Sequence, residues 1–259
     1  METKREMRAA GSCRVMGIVN VTPDSFSDGG ECYGDPARAI ERARRMASEG
    51  AAIVDIGGES TRPGSTPISW DEEWRRVGPV LEGLRGFKCP VSVDTYHPET
   101  AERALKAGAK IINCVYAEPV PEMLRILDRE GGGAELVVPA CCLDECAGLG
   151  DLSRIYLDPM VGFGTTREED LALLRSVPWL AQRGRVLVGA SRKRIVRALA
   201  GEDRVNSLLG GDVAIALWSS ANGASVVRVH DVKETAQALR VWGRLAGDGR
   251  PFNENCARG

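Results

Sequence analysis

The stretch CPVSVDTYHPETAERALKAGAKIINCV, residues 89–115, contains the unit from which the fold is built. It begins with a β-branched run at 91–94 and passes through a polar turn into a segment with apolar residues at helical spacing at 98–107. A second β-branched run follows at 110–114. Pro98 lies at the predicted helix start, where a missing backbone N–H costs nothing. Strand, helix and strand in this order predict a parallel βαβ unit.

The same alternation continues outward from this unit in both directions. Strands are predicted at 14–19, 52–56, 91–94, 110–114, 135–138, 155–158, 186–189 and 225–229. Helical patterns cover 36–48, 70–83, 98–107, 121–128, 167–176, 212–222 and 232–245. A chain of 259 residues with 43% hydrophobic residues suits one barrel better than two ordinary domains. The prediction is an α/β fold, a single-domain (β/α)8 TIM barrel over residues 1–259, with flexible ends at 1–12 and 250–259.

The segment after the fifth predicted strand breaks this alternation. Residues 141–154 contain Gly148 and Gly150 and leave little room for a crossover, which takes about a dozen residues or more. A truncated or missing fifth helix is therefore predicted. A short turn, a neighbouring helix or a partner subunit could cover strand five in its place.

Composition and charge exclude several classes of function. A net charge of -2 gives no basic field for a nucleic acid. No segment approaches the roughly 18 unbroken apolar residues of a membrane span, and the opening residues METKREMRAAGS are charged, unlike a secretory signal. The eight cysteines are scattered and not spaced as a disulfide framework, so reduced thiols are expected. These features predict a cytoplasmic protein with small-molecule ligands, no nucleic acid and no membrane.

Polar residues follow the last apolar residue of successive predicted strands. They are Asn20, Asp55, Asp94, Asn113, Asp158, Ser191, Arg192, Lys193, Arg228 and His230. Alone, each aspartate could cap a helix and each basic residue could be a surface or satisfied core residue. The carboxyl ends of barrel strands meet at one rim, however, and that rim carries the chemistry of this fold. The pattern therefore favours a single site, with a cationic pocket at strands seven and eight, where barrels frequently bind phosphate.

Asp94, Asn113 and Asp158 predict the kind of ligand at this rim. A carboxylate can accept two parallel N–H bonds from an amino-pyrimidinone edge, and an amide can donate and accept on the same ring. Beside a cationic pocket, this set indicates a pterin with an anionic leaving group. Displacement would occur at the carbon next to the ring, with the cations stabilising charge on the departing oxygens.

Six motifs in this chain resemble those of the dihydropteroate synthase family. They are VMGIVNVTPDSFSDGG at 15–30, DIGGESTRPGS at 55–65, SVDT at 92–95, LDPMVGFGTT at 157–166, GASRK at 189–193 and RVHDV at 228–232. The resemblance covers nearly the whole chain and implies a transferase of folate biosynthesis. Such an enzyme joins 6-hydroxymethyl-7,8-dihydropterin diphosphate to p-aminobenzoate and releases diphosphate, and sulfonamides compete for the p-aminobenzoate position. A homodimer is also implied.

The resemblance further implies roles for individual residues. The pterin is expected at Asp94, Asn113, Asp158 and Lys193, of which Asp94 and Lys193 are the expected catalytic residues. The diphosphate is expected at Asn20, Thr61, Arg228 and His230, and Asn20 is the expected protein ligand of a Mg2+ carried largely by the diphosphate. p-Aminobenzoate is expected at Phe26, Arg62, Pro63, Phe163 and Ser191, beneath closing loops at 22–29 and 60–65. The implied reaction begins with ionisation of the diphosphate and needs no covalent enzyme intermediate, so His97 is interpreted as a cap or surface residue.

Four features depart from the family pattern. Cys114 replaces an aspartate, Met160 a glycine and Thr165 a lysine, and the segment after strand five is shortened. Near that segment, Cys114, Cys141, Cys142 and Cys146 could bind Zn2+ or an iron–sulfur cluster, could form a redox pair, or could pack as small apolar side chains.

Two other functions are compatible with the sequence. A divergent, non-catalytic paralogue would bind a pterin or a protein partner, with the shortened segment as its interface. A pterin-dependent methyltransferase-type barrel would handle a pterin without diphosphate, and the presence of Arg228, His230 and STRPG at 60–64 argues against it.

Overall fold

The computed structural model describes residues 13–22, 34–61, 65–130, 133–147, 152–202, 204 and 207–246. Within them, eight parallel strands close into a barrel in chain order, which confirms the predicted (β/α)8 architecture. The strands are β1 Arg14–Asn20, β2 Ile53–Gly57, β3 Val91–Asp94, β4 Ile111–Asn113, β5 Glu135–Pro139, β6 Ile155–Asp158, β7 Arg185–Val188 and β8 Val226–Val229. The predicted flexible ends lie outside the described residues.

Ten helices are described around the barrel. They are α1 Pro36–Glu49, α2 Trp70–Gly83, α3 Pro98–Lys106, α4 Val120–Glu130, α5 Leu143–Ala147, α6 Arg167–Arg175, α7 Val177–Leu180, α8 Arg194–Ala200, α9 Leu209–Ala221 and α10 Val232–Leu245. The sequence did not predict α7 and α8, because four and seven residues are too few to display a helical period. Helix α9 begins at Leu209, ahead of the predicted start at 212. No described helix is long and apolar enough to cross a membrane.

Alternate residues of each strand point into the barrel and away from it. In β1, Val15 and Val19 join the apolar layer between strands and helices, whereas Met16 belongs to a separate interior cluster. The members of that interior cluster are Met16, Ile53, Ile111, Val137, Tyr156, Leu187 and Val226.

Polar contacts lie at the strand starts below this interior layer. The Tyr156 hydroxyl donates to Glu135 Oε2 at 3.1 Å, and Arg185 donates to Glu135 Oε1 at 2.5 Å. The amino end of the barrel is thus filled by side chains. The inward-facing polar residues at the carboxyl ends of the strands are left to form the mouth.

The crossover after β5 is short, as the sequence predicts. A 3-10 turn, Ala140–Cys142, leads directly into the five-residue helix α5. Cys142 and Cys146 are buried in the outer apolar core, so this segment packs on the barrel although it is too short for a full crossover helix.

Candidate active site

The strand registers bring the predicted polar residues together at the mouth. Asn20 is paired in register with Gly57, Gly57 with Asp94, and Asp94 with Asn113, so these residues follow one another across β1 to β4. Asp158 is paired with Pro139 at the end of β6. Asp55, Asp94, Asn113 and Asp158 are together called the polar floor below.

Arg228 reaches into the polar floor from β8. Its Nε donates to Asp55 Oδ2 at 2.6 Å, and its Nη2 donates to Asp94 Oδ2 at 2.7 Å. Burial by itself would lower the pKa of Arg228, but the carboxylates of Asp55 and Asp94 raise the pKa above its ordinary value. Arg228 is therefore a fixed cation inside the site, deeper than its predicted place in a cationic pocket at the rim.

The polar floor keeps buried acceptor oxygens without hydrogen-bond partners. Within the described part of the chain, Oδ1 of Asp55, of Asp94 and of Asn113 accepts no hydrogen bond. The Asn113 amide is oriented by its Nδ2, which donates to Asp55 Oδ2 at 3.3 Å. An unpaired buried acceptor costs about 1–3 kcal/mol, so this arrangement favours a flat ligand that brings several N–H donors.

Burial changes the ionisation of the floor carboxylates. The pKa of Asp94 is raised to about 7 by burial, against the opposing effect of the Arg228 cation. Burial also raises the pKa of Asp158, which Lys193 opposes. Two titratable groups with pKa values pushed toward neutrality in one concave site are typical of a catalytic centre.

Lys193 and the loop after β6 form one wall of the mouth. Lys193 Nζ donates to the carbonyl oxygen of Val161 at 2.6 Å and lies 4.3 Å from the ring centroid of Phe163. A Cβ at Gly162 would come within 2.8 Å of Lys193 Cδ, so this close approach requires glycine. Burial lowers the pKa of Lys193 to about 8, against the effect of Asp158.

Two of the family departures have structural consequences in this loop. Met160 adopts φ 63, a left-handed conformation in which a non-glycine residue is strained. Its backbone N–H donates to Asp158 Oδ1 at 2.7 Å. The Thr165 hydroxyl bonds Asp170 Oδ1, which also accepts the Gly162 N–H at 2.6 Å. Thr165 therefore ties the loop to α6.

The β7 and β8 ends meet in a second buried network. Ser191 Oγ lies 3.0 Å from Asp212 Oδ2 and 3.1 Å from His230 Nδ1. The predicted contribution of Arg192 to a cationic pocket needs correction, because its guanidinium is paired with Asp231 at 2.8 Å. Lys193 and His230 lie at the carboxyl ends of β7 and β8 as predicted, whereas Arg228 lies deeper, against Asp55 and Asp94.

The loop after β2 is held in place by two residues that follow β3, Tyr96 and His97. Glu59 accepts the Tyr96 hydroxyl at 2.7 Å and lies 3.2 Å from His97 Nε2. His97 occupies the N-cap position of α3, in line with its interpretation as a cap residue, but its half-buried ring makes no cap bond and contacts Glu59 instead. Thr61 is half-buried next to this loop. Phe26, Arg62 and Pro63 lie outside the described residues.

The cysteine segment shows no metal centre. Among the described residues, no group of three or more His, Cys, Asp or Glu side chains could hold a metal ion. Cys114, Cys141, Cys142 and Cys146 are free thiols. Burial raises the pKa of Cys114 and of Cys142 to about 12, so both are neutral thiols at physiological pH when no metal is bound. Cys114, Cys142 and Cys146 are buried, as the packing interpretation expects, whereas Cys141 is exposed.

Two residues of the site had no role assigned from sequence. Asp55 stands two residues before Gly57 in β2 and shares its inward direction; the sequence placed it at the rim but gave it neither a ligand nor a partner. Asp212 lies inside a helix, distant in sequence from Ser191, and no local pattern marks it.

Comparisons with known proteins identify the family to which the chain belongs. The family profile described as "Pterin binding enzyme" matches residues 16–148 and 142–230, and the two matched stretches meet at α5. Dihydropteroate synthase of Neisseria meningitidis serogroup B is 40% identical, covering 90% of this chain and 92% of the relative.

Solved structures of the same family share the fold. Dihydropteroate synthase of Xanthomonas albilineans with 4-aminobenzoic acid has a TM-score of 0.81 at 37% identity, covering 93% of this chain and 96% of that one. The same protein in complex with 7,8-dihydropteroate has a TM-score of 0.79 at 35% identity, with the same coverage. The Yersinia pestis enzyme with a sulfonamide drug complex has a TM-score of 0.83 at 32% identity, covering 95% of this chain and 98% of that one.

Proposed function

This chain belongs to the dihydropteroate synthases among the pterin-binding enzymes, and we propose that the residues at its barrel mouth carry out that reaction. The enzyme is a transferase that joins 6-hydroxymethyl-7,8-dihydropterin diphosphate to p-aminobenzoate, giving 7,8-dihydropteroate and diphosphate. The polar floor is the observation that carries the assignment of residues. Its unpaired, buried acceptor oxygens match the N–H donors of a pterin edge.

The pterin lies on Asp94, Asn113, Asp158 and Lys193. Asp158 and Asn113 accept the ring N–H groups, and Lys193 donates from the opposite wall. Asp55 is added to this set, because it fixes both Arg228 and the amide orientation of Asn113. A heterocycle with fewer donors would leave these acceptors unpaired and bind more weakly.

The leaving diphosphate lies beside Asn20, Thr61, Arg228 and His230. Cationic and N–H donors at these positions stabilise the charge that develops on the departing oxygens. In the ligand-free protein Arg228 is bound to Asp55 and Asp94. Its remaining N–H donors are therefore presented from a guanidinium whose orientation is already set.

Asn20 also fits a Mg2+ that travels with the diphosphate. A Cβ at Gly57 would lie 3.7 Å from Asn20 Oδ1 and 3.6 Å from Asp94 Cβ, and glycine leaves this space unfilled. Mg2+ prefers oxygen ligands, keeps several waters and is often held by one protein group plus substrate phosphates. Bound there, the ion would neutralise charge on the leaving group.

Catalysis follows from charge placement without a covalent enzyme intermediate. As the C–O bond to diphosphate breaks, the pterin methylene becomes positive, and the Asp94 carboxylate stabilises that charge. The arylamine nitrogen then attacks the methylene. p-Aminobenzoate lies over Phe163 and Ser191, with Phe26, Arg62 and Pro63 completing its site, and the loops at 22–29 and 60–65 exclude water from the cation.

We further propose a cytoplasmic homodimer. Large apolar side chains are exposed on successive helices α7 to α9, namely Trp179 (51% exposed), Leu199 (55%), Leu209 (41%) and Trp218 (39%). Exposed apolar side chains on helices that follow one another favour an interface on this side of the barrel, and a second copy is its proposed occupant. Sedimentation should show a dimer that Trp218→Glu dissociates, whereas Val241→Glu on α10 leaves it intact; a wild-type monomer would contradict the proposal.

The function is tested by the requirement for both substrates. Purified protein with Mg2+ should release diphosphate only when dihydropterin diphosphate and p-aminobenzoate are both present, and a sulfonamide should compete with p-aminobenzoate. Pterin binding without diphosphate release would indicate the non-catalytic paralogue. Absence of any pterin binding would contradict the proposal altogether.

A further inference from the structure

Asp212 organises the loop after β7 from a position in the first turn of α9. The carboxylate is buried and accepts the backbone N–H of Arg192 at both oxygens, at 2.9 and 3.2 Å. Arg192 itself adopts φ 59, a strained conformation that these two bonds help to hold. One carboxylate therefore fixes the backbone between Ser191 and Lys193.

The hydrogen bonds of the Ser191 hydroxyl determine whether it can donate to the ring of His230. The Ser191 hydroxyl has one proton, which it donates to Asp212 Oδ2 at 3.0 Å. Ser191 Oγ also accepts the backbone N–H of His230 at 3.3 Å. Toward His230 Nδ1, 3.1 Å away, the hydroxyl can then offer only a lone pair.

We propose that Asp212, acting through Ser191, is a positioning residue that holds His230 in the tautomer with its proton on Nδ1. In a neutral histidine only one ring nitrogen carries a proton. The hydrogen-bond partner of one nitrogen therefore decides which of the two is protonated. The neutral ring therefore carries a lone pair at Nε2, the nitrogen through which it would meet an anion. Because a lone pair repels phosphate oxygens, diphosphate binding to His230 requires a second ring proton.

This inference deepens the proposed function, since it assumes that His230 holds the diphosphate. Charged groups of the surrounding elements are Asp212 on α9, Asp231 after β8, Arg228 on β8, and Arg192 and Lys193 after β7. Burial raises the pKa of Asp212, while the hydrogen bonds from Arg192 and Ser191 oppose that change. As the pH rises and the neutral ring predominates, the affinity for diphosphate should fall by up to about tenfold per pH unit, because binding takes up the missing proton.

Histidine-selective 15N NMR of the ligand-free enzyme tests the tautomer directly. The chain has two histidines, so His97→Gln assigns the His230 signal. We expect Nδ1 of neutral His230 to show the shift of a protonated, pyrrole-type nitrogen. A lone-pair signal at Nδ1 in the wild-type protein would overturn the proposal.

Asp212→Asn is the matched variant. Its carboxamide oxygen can still accept the Arg192 N–H while its NH2 group donates to Ser191 Oγ, which turns the serine proton toward Nδ1. The tautomer should then reverse, with the proton on Nε2. If this variant fails to fold, Ser191→Ala removes the contact between Ser191 Oγ and His230 Nδ1. The proton of neutral His230 should then no longer be confined to Nδ1. An unchanged tautomer in a folded variant contradicts the role of Asp212.

Calorimetry with Mg2+ and inorganic diphosphate tests the consequence for binding. Titrations at alkaline pH in buffers of different ionisation enthalpy should show that the wild-type enzyme takes up about one proton more than Asp212→Asn. Equal uptake by both proteins would overturn the linkage. Diphosphate that fails to bind an enzyme with the expected tautomer would contradict the proposed function and leave the tautomer assignment supported.

Discussion

At the scale of single residues, Asp94 and Lys193 should set the pH range of the reaction. Asp94 must be a carboxylate to stabilise the pterin cation, and burial raises its pKa to about 7. Lys193 donates its stronger, charge-assisted hydrogen bonds as the ammonium ion, and burial lowers its pKa to about 8. We therefore expect kcat/KM for the pterin substrate to fall as the pH drops through about 7 and to fall again as it rises through about 8.

The basic limb of this profile has a matched control. Lys193→Arg keeps a cation whose charge persists to high pH, so any residual activity of this variant should decline less steeply above about pH 8 than that of the wild type. A wild-type profile that is flat over this range would contradict the assigned roles.

Met160 is a second residue whose contribution can be measured. At φ 63 a non-glycine side chain costs about 1–2 kcal/mol, whereas glycine accepts this conformation but loses some backbone entropy. Met160→Gly should therefore raise the free energy of unfolding by up to about 1 kcal/mol in urea titrations. Gly162→Ala, at φ 81 and against Lys193, is the opposite control and should destabilise. Loss of stability in Met160→Gly would show that its side-chain packing outweighs the strain.

At the scale of elements, α2 contributes a buried carboxylate beneath the ends of β2 and β3. Glu73 accepts the Thr95 hydroxyl at 2.6 Å, and a Cβ at Gly58 would lie 3.0 Å from Glu73 Cγ. Burial raises the pKa of Glu73 to about 7, against the Thr95 bond. Because the folded state binds the proton more tightly, this contribution to stability is present below the unfolded pKa and is lost as the pH rises through about 7.

Glu73→Gln should remove this dependence. Relative to wild type, the variant should gain about 2 kcal/mol of unfolding free energy between about pH 5 and pH 8. Glu82→Gln, on the exposed face of the same helix, should show no such change. A stability difference between Glu73→Gln and wild type that does not vary with pH would contradict the account.

The cysteines of helix α5 and of the turn before it allow a test of whether this segment binds zinc or iron. If its buried cysteines serve packing, addition of Zn2+ or of a chelator should leave the thermal unfolding midpoint unchanged, and purified protein should contain no stoichiometric zinc or iron. Cys146→Ala should cost about 1 kcal/mol through the lost packing of a small buried group. A chelator-dependent loss of stability would restore the metal interpretation.

The sequence predicted the strands and the polar floor well, because both follow from a period of two. Asp94, Asn113 and Asp158 end strands whose apolar pattern is unambiguous, so their side chains could be assigned to one rim. The sequence placed Arg228 at that rim but did not predict its ion pair with Asp55. The direction of a long side chain depends on packing across the barrel, which no local pattern shows. Asp212 could not be found, because its partner lies in another crossover.

At the scale of the whole molecule, the two ends of the barrel differ in their polar contacts. The amino end serves stability, and the carboxyl end carries the active site. At the amino end, Glu135 accepts hydrogen bonds from both Tyr156 and Arg185. The polar floor at the carboxyl end instead retains acceptors without partners. Because these acceptors are grouped in one concave site at the carboxyl ends of the strands, that end of the barrel is the one arranged to bind a ligand.

The most direct test of this account is the rate of 7,8-dihydropteroate formation by the wild type, Asp94→Asn and Lys193→Ala. The account predicts product equal to the diphosphate released by the wild type, and rates at least about a hundredfold lower in each variant, with unchanged circular dichroism spectra. Near-normal formation of dihydropteroate by either folded variant would contradict it.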